Sequence, residues 1–380
     1  AMMYFRGNVR LFLEPRGILS LPIMARGLLL ILLLASCGTS REAFDRALAA
    51  GDRAKSAGRY DEAAAAYREA GDTAKRERDR DEGYFREAAT LEQAGRYQEA
   101  MAAYDRLIAL SPRGERTPRA VYERALLEVQ HGDAEAGWQA LERALLTYPS
   151  SGSARRVLRK VVEHHEEKAA GGGRRWLEAN RERLLATELG EDTLYLIAKA
   201  LQAEGRGAEA RAGFVACAER YPYPYGALAD DAWWNAAELA EQQGDYMGAV
   251  GYLQKLLAPR EIATMKHGSY ERPRYSAARF KLAELYRDRL GDDERAREEF
   301  RRLYREHTTS VLRDDALWNE ILLARKAKDD RGVCDAMTQL VKEFPESRYA
   351  GCSQQLCASA GSSPKAPPCR GYLRSALGLE

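Results

Sequence analysis

From residue 41 to residue 347, small, aromatic and aliphatic residues return at helical spacing on either side of a recurring polar turn. Tyr84, Ala88 and Leu91 precede Gly95, and Ala100, Tyr104, Leu107 and Pro112 follow it. Leu194, Ala198 and Leu201 precede Gly205, and Ala210, Phe214, Cys217 and Pro222 follow it at the same offsets. Each set predicts two helices joined at the glycine. Small residues let the pair approach closely, the aromatic wedges against the neighbouring hairpin, and the proline ends the second helix.

The turn reads Gly58-Arg59-Tyr60-Asp61-Glu62-Ala63, Gly95-Arg96-Tyr97-Gln98-Glu99-Ala100, Gly132-Asp133-Ala134-Glu135-Ala136, Gly205-Arg206-Gly207-Ala208-Glu209-Ala210, Gly244-Asp245-Tyr246-Met247-Gly248-Ala249 and Gly291-Asp292-Asp293-Glu294-Arg295-Ala296, with a weaker copy from Asp329 to Cys334. The spacings are 37, 37, 73, 39, 47 and 38, and the widest gap accommodates one further unit turning at Gly171-Gly172-Gly173. About eight helical hairpins are expected. In each, a glycine at positive φ should close the first helix, an Asp or other polar residue should cap the second, and a Glu in its first turn should complement the helix dipole.

These residues resemble the tetratricopeptide repeat from Arg41 to Ser347. The insert Pro259 to Pro273 lengthens one connection, and Thr308 stands where the closing proline is expected. The resemblance implies an all-α fold, a right-handed α-solenoid of about eight TPR-like hairpins, whose concave face is built from successive first helices.

The start of the chain carries a different signal. Met24-Ala25-Arg26 precedes an apolar run from Leu28 to Leu34, followed by Ala35-Ser36-Cys37-Gly38. That run is too short to span a bilayer and has the order of an export signal. Leu34-Ala35-Ser36-Cys37 resembles a bacterial lipobox, which implies acylation of Cys37 and a mature chain beginning there. Several acyl chains on one residue hold a protein stably at a membrane. Gly38 in place of Asp favours the outer membrane. The expected division is 1–36 extension and signal, 37–43 lipidated Cys and linker, 44–347 solenoid, and 348–380 cysteine-containing cap and tail. Lipobox and repeats together resemble the periplasmic tetratricopeptide lipoproteins of Gram-negative envelopes, the BamD- and CpoB-like class.

Charge and composition narrow the function. Lys+Arg 59 against Asp+Glu 57, both signs interspersed, leaves no basic face for nucleic acid. There is no Walker loop, dinucleotide-binding glycine triplet, His-Glu-x-x-His pair or nucleophile elbow, so neither enzyme, cofactor nor small-molecule substrate is expected. His164-His165-Glu166-Glu167 is the only metal-like cluster, and adjacent helical residues point about 100° apart, so it reads as a solvated face. Cys217 sits at a core offset and reads as a buried thiol. Cys334, Cys352, Cys357 and Cys369 crowd the end of the chain, and in an oxidising compartment they predict two disulfides. Cys334–Cys352 and Cys357–Cys369 are the expected pairs, because a bend at Phe344-Pro345 brings the first two together.

The candidate partner surface follows from the offset ten residues before each turn. It holds Phe85, Tyr122, Tyr195 and Trp234, then Lys281 and Asn319. Lys199 and Glu238 lie one turn further along. Such a row either lines a groove that takes a peptide or helix of an envelope protein, or is packing between repeats. Trp233 and Trp318, one residue earlier, are expected in the core. The leading reading is a non-catalytic scaffold, and the alternative is an accessory subunit of a periplasmic hydrolase or metal-dependent enzyme.

Overall fold

A computed structural model describes residues 41–263 and 273–378. Cys37 with its lipobox, and residues 264–272 of the insert, lie outside the described residues. Among those described there is no strand, and the all-α expectation holds. The helices are α1 (41–56), α2 (Tyr60–Thr73), α3 (Glu77–Gln93), α4 (Tyr97–Leu110), α5 (Thr117–His131), α6 (Ala134–Thr147), α7 (Ala154–Lys168), α8 (Gly172–Ala179), α9 (Arg181–Leu185), α10 (Gly190–Ala203), α11 (Gly207–Arg220), α12 (Ala229–Gln242), α13 (Tyr246–Ala263), α14 (Pro273–Glu284), α15 (Asp293–Glu306), α16 (Arg313–Lys326) and α17 (Asp330–Glu343). A π-helical turn, Leu285–Arg289, prolongs α14. The chain falls into two compact units, one ending at Ala144 and the other beginning at Leu145.

The expected turn geometry is present at Gly58, Gly95, Gly171, Gly205, Gly244 and Gly291, all at φ between 65° and 76°. Gly132 is the exception, with φ −134°. Asp133 accepts from the Ala136 amide there, while the Glu128 carboxylate accepts from the Asp133 amide. Capping splits by sequence. Where Asp follows the turn residue, as at Asp245, Asp292 and Asp329, its carboxylate accepts from the amide three residues on. Where Arg follows, there is no side-chain cap, and the arginine instead reaches a Glu in the first turn: Arg59–Glu62, Arg96–Glu99 and Arg206–Glu209. The general expectation of a polar cap therefore fails at the Gly-Arg turns, because a guanidinium has no acceptor to offer an amide.

The hairpin cores follow the predicted small-residue pattern. Ala63, Ala88, Ala100, Ala198, Ala210, Ala237 and Ala249 are all fully buried. Between α2 and α3 the backbones come closer still: a Cβ on Gly83 would lie 2.5 Å from the Gly71 amide nitrogen, so only glycine fits. An aromatic on the first helix, ten residues before the turn, packs on one nine residues after it. The ring centroids of Phe85 and Tyr104 are 5.7 Å apart, and those of Tyr195 and Phe214 5.4 Å.

The unit turning at Gly171 is the most degenerate, because its second helix breaks at Asn180 into α8 and α9. The neighbouring histidine cluster is part of this turn. Glu166 accepts from the Gly171 and Gly173 amides, and His165 stacks on Trp176. Cys217 is buried at its core offset, as expected, and burial pushes its thiol up to about 12.

After α17 the chain makes a 3-10 turn (Ala350–Cys352), a short helix α18 (Ser353–Leu356), a second 3-10 turn (Ala358–Ala360) and α19 (Gly371–Ala376). The four terminal cysteines do form two disulfides, but they are Cys334–Cys357 and Cys352–Cys369. The expected connectivity is wrong because residues 347–349 do not run back along α17. They cross to α16, where Tyr349 stacks on Trp318, and α18 then delivers Cys357 to Cys334.

Candidate functional site

The row expected to face a groove depends on which residue is the turn, and the structure shifts that register twice. At most turns the amide after the turn residue donates to the carbonyl five residues back, as from Arg96 to Leu91, Arg206 to Leu201 and Asp245 to Ala240. At Gly291 the bond spans six residues, from Asp292 to Tyr286, because the π turn adds one residue to the helix. At the last hairpin the bond runs from Asp329 to Ala324, so the turn residue is Lys328, the one non-glycine at positive φ among the described residues, 58°.

With these corrections the aromatic row runs Phe85, Tyr122, Tyr195, Trp234, Phe280 and Trp318. Phe280 stands edge-on to Phe300 at 5.3 Å, in the place of Tyr195 against Phe214. Lys281 and Asn319 belong instead to the next position along, with Asn235. Asn235 and Asn319 make the same bond, donating to the carbonyls of Asp231 and Asp315 four residues earlier.

Most of the aromatic row is packing. Phe85 and Tyr122 are buried, and the Tyr122 hydroxyl donates to the Ala144 carbonyl, so the expectation that these two line a groove is overturned. Trp233 and Trp318 are buried as expected, Trp318 beneath Tyr349. Tyr195 is half-buried, and burial raises its hydroxyl pKa. Trp234 is half-buried, with Arg274 at 5.0 Å and Lys281 at 5.8 Å from its ring centroid.

What connects successive first helices in the second unit is a polar chain. Asn235 on α12 donates to the Tyr195 hydroxyl on α10 at 3.2 Å. Arg274 on α14 pairs with Asp231, and Lys281 pairs with Glu241 at 2.6 Å. Arg287, in the π turn, donates to the Asn319 side chain on α16. Arg287 also donates to the Asp288 carboxylate, and that hydrogen bond holds it below its ordinary value. Lys199 is exposed and donates to Gln202 on its own helix, and Glu238 is half-buried one turn beyond Trp234. At the position after the aromatic row, α12, α14 and α16 thus present Asn235, Lys281 and Asn319, and the Tyr195 hydroxyl on α10 joins this row through Asn235, with both signs of charge close by.

Profiles of the tetratricopeptide repeat match residues 81–113, 195–264 and 277–310. The chain contains tetratricopeptide repeats. No curated protein matches it at a significant level. Among solved structures, it is similar to PilW, described as a widely conserved type IV pilus biogenesis factor, at 17% identity over 70% of this chain and 93% of that one, with a TM-score of 0.29. It is similar to Pseudomonas aeruginosa PilF at 20% identity over 60% and 93% of the two chains, with a TM-score of 0.35. The C-terminal part of a TPR repeat-containing protein from Cytophaga hutchinsonii overlays at 14% identity over 70% and 98%, with a TM-score of 0.40. At these values the overlays carry nothing about function.

Tetratricopeptide repeats suggest a protein-interaction scaffold, and the described residues contain no group of three or more His, Cys, Asp and Glu that could hold a metal. No described helix is long and apolar enough to cross a membrane. Sequence reasoning missed Phe280, Asn235, Arg274 and Arg287. A signal for the register was present: Asp230-Asp231-Ala232-Trp233-Trp234-Asn235 repeats as Asp314-Asp315-Ala316-Leu317-Trp318-Asn319.

Proposed function

We propose that this chain is a non-catalytic scaffold of a bacterial envelope, tethered to the outer membrane through lipid on Cys37 and facing the periplasm. It binds an envelope protein by laying a peptide or helix of that partner across α10, α12, α14 and α16. The observation that carries the binding surface is the row Asn235, Lys281 and Asn319, joined to α10 through the Tyr195 hydroxyl, because it sets a hydrogen-bonding group on each successive first helix. Half-buried Trp234 supplies apolar contact area beside it. The order of charged residue, apolar run and Leu34-Ala35-Ser36-Cys37 supports the anchor.

Two measurements test the two halves separately. Cys37→Ser should move the protein from the membrane to the soluble fraction and abolish fatty-acid labelling; a variant that stays with membranes sinks the anchor. Cross-linking from envelope membranes should recover a defined partner with the native chain and lose it with Lys281→Ala and Asn319→Ala combined, at unchanged helicity. Recovery of the same partner at full yield by that variant removes the proposed surface.

A further inference from the structure

The repeated motif on α12 and α16 has a repeated neighbour. After the first copy the next hairpin opens Pro273-Arg274-Tyr275, and after the second the chain continues Ser347-Arg348-Tyr349. Arg274 pairs with Asp231 and lies over Trp234. Arg348 pairs with Asp315 at 2.8 Å, Tyr349 lies on Trp318 at 4.7 Å with the rings 13° apart, and Ser347 donates to Asp314 at 2.8 Å. The segment that follows α17 therefore occupies the place of a ninth first helix. It lacks the helix: its elements are three, four and three residues long, far below the length at which a helix holds itself together. Two disulfides, Cys334–Cys357 and Cys352–Cys369, tie it to α17 and to the tail.

We propose that residues 347–369 are a redox-locked stand-in for a ninth repeat. When both bridges are reduced, the segment leaves α16, and the Asp314, Asp315 and Trp318 face takes the same Ser347-Arg348-Tyr349 segment of a second copy. The reductant is a dithiol. Each bridge takes up two electrons and two protons to give two thiols, while the dithiol closes to its own disulfide. Cys334 and Cys369 are partly exposed, so attack can begin at either bridge, whereas Cys352, within the docked segment, is buried. The second copy is the fitting occupant because its segment carries the charge and ring complementary to this face, and exchange of identical elements between protomers needs no new contact.

The test uses the full chain in its oxidised and dithiol-reduced forms, with light scattering for mass and mass-mapped alkylation for each cysteine. The oxidised chain should be monomeric. The reduced chain should double in mass at unchanged helicity and alkylate Cys352 as fast as Cys334 when diluted. Asp315→Ala with Trp318→Ala, reduced, should free Cys352 and stay monomeric. A reduced wild type that keeps Cys352 protected and its mass single overturns the release. One that exposes Cys352 without dimerising overturns the second copy as occupant, and loss of helicity on reduction overturns the segment as a separable device.

Discussion

The Tyr195 hydroxyl accepts a hydrogen bond from the Asn235 side chain at 3.2 Å while its ring stands edge-on to Phe214 at 5.4 Å. One residue thus closes its own hairpin with its ring and reaches the next first helix with its oxygen. The two roles separate on substitution. Tyr195→Phe keeps the ring and should cost about 1 kcal/mol, the net worth of one hydrogen bond. Tyr195→Ala should approach 3 kcal/mol, as large core-facing rings do on truncation. Urea unfolding of the two variants reads the difference, and equal losses would place the stabilisation in the hydroxyl alone.

Asp81 on α3 gives the first unit a pH dependence. It is 1% exposed, and burial raises its carboxyl above the ordinary value, with Glu77 adding to the rise and Ser111 and Arg80 opposing it. The folded chain therefore holds this proton more tightly than the unfolded chain does. The stability it contributes is complete below the ordinary Asp pKa and is lost as pH rises through the raised value. Asp81→Asn keeps the shape without the charge and should raise the unfolding midpoint at pH 7 while leaving it unchanged near pH 3. A variant less stable than wild type at pH 7 would show that the carboxylate is held ionised by favourable contacts.

The eighth hairpin shows what was legible in the sequence and what was not. Glycine at positive φ marks most of the turns openly, so the hairpins, their small-residue cores and the all-α class followed directly. At Lys328 the same backbone conformation is adopted by a residue that gives no signal, and the reading slid one residue to Asp329, turning Asn319 into a groove position and Trp318 into an inner one. At α14 the π turn adds a residue that local composition does not announce. The disulfide pairing failed for a different reason. Proximity along the chain favoured Cys334 with Cys352, whereas the docking of Tyr349 on Trp318, a contact between residues 31 apart, decides where the segment runs.

Arg279 on α14 is 1% exposed and pairs with Glu299 at 2.6 Å and Glu306 at 3.1 Å, while its Nε–H donates to Nε2 of His307 at 3.2 Å. His307 immediately precedes Thr308, which stands at the missing proline. The buried cation holds the end of α15 to α14 where a proline would have stopped the helix. Arg279→Ala removes the cation and leaves two carboxylates near the core, so it should cost about 3–5 kcal/mol. Arg279→Leu combined with Glu299→Leu should recover part of that loss. Thermal unfolding of both variants checks it, and a single alanine variant as stable as wild type would mean that the cluster contributes nothing.

Neighbouring residues on α14 test the corrected register most directly. If the π turn adds one residue, Phe280 is the structural ring and Lys281 the surface group; without it the roles would exchange. Phe280 packs edge-on against Phe300, which is fully buried, so Phe280→Ala leaves a void beside that ring and should cost about 3 kcal/mol. Lys281 pairs with Glu241, with both side chains roughly a quarter exposed. An ion pair of this kind is worth on the order of 0–1 kcal/mol, so Lys281→Ala should leave the unfolding midpoint nearly unchanged. Its effect should fall instead on partner capture, and the loss of capture should weaken with added salt if the ammonium meets a carboxylate on the partner. A Lys281→Ala variant that unfolds as readily as Phe280→Ala would return the aromatic row to its uncorrected register and leave Asn235 and Asn319 without a counterpart on α14.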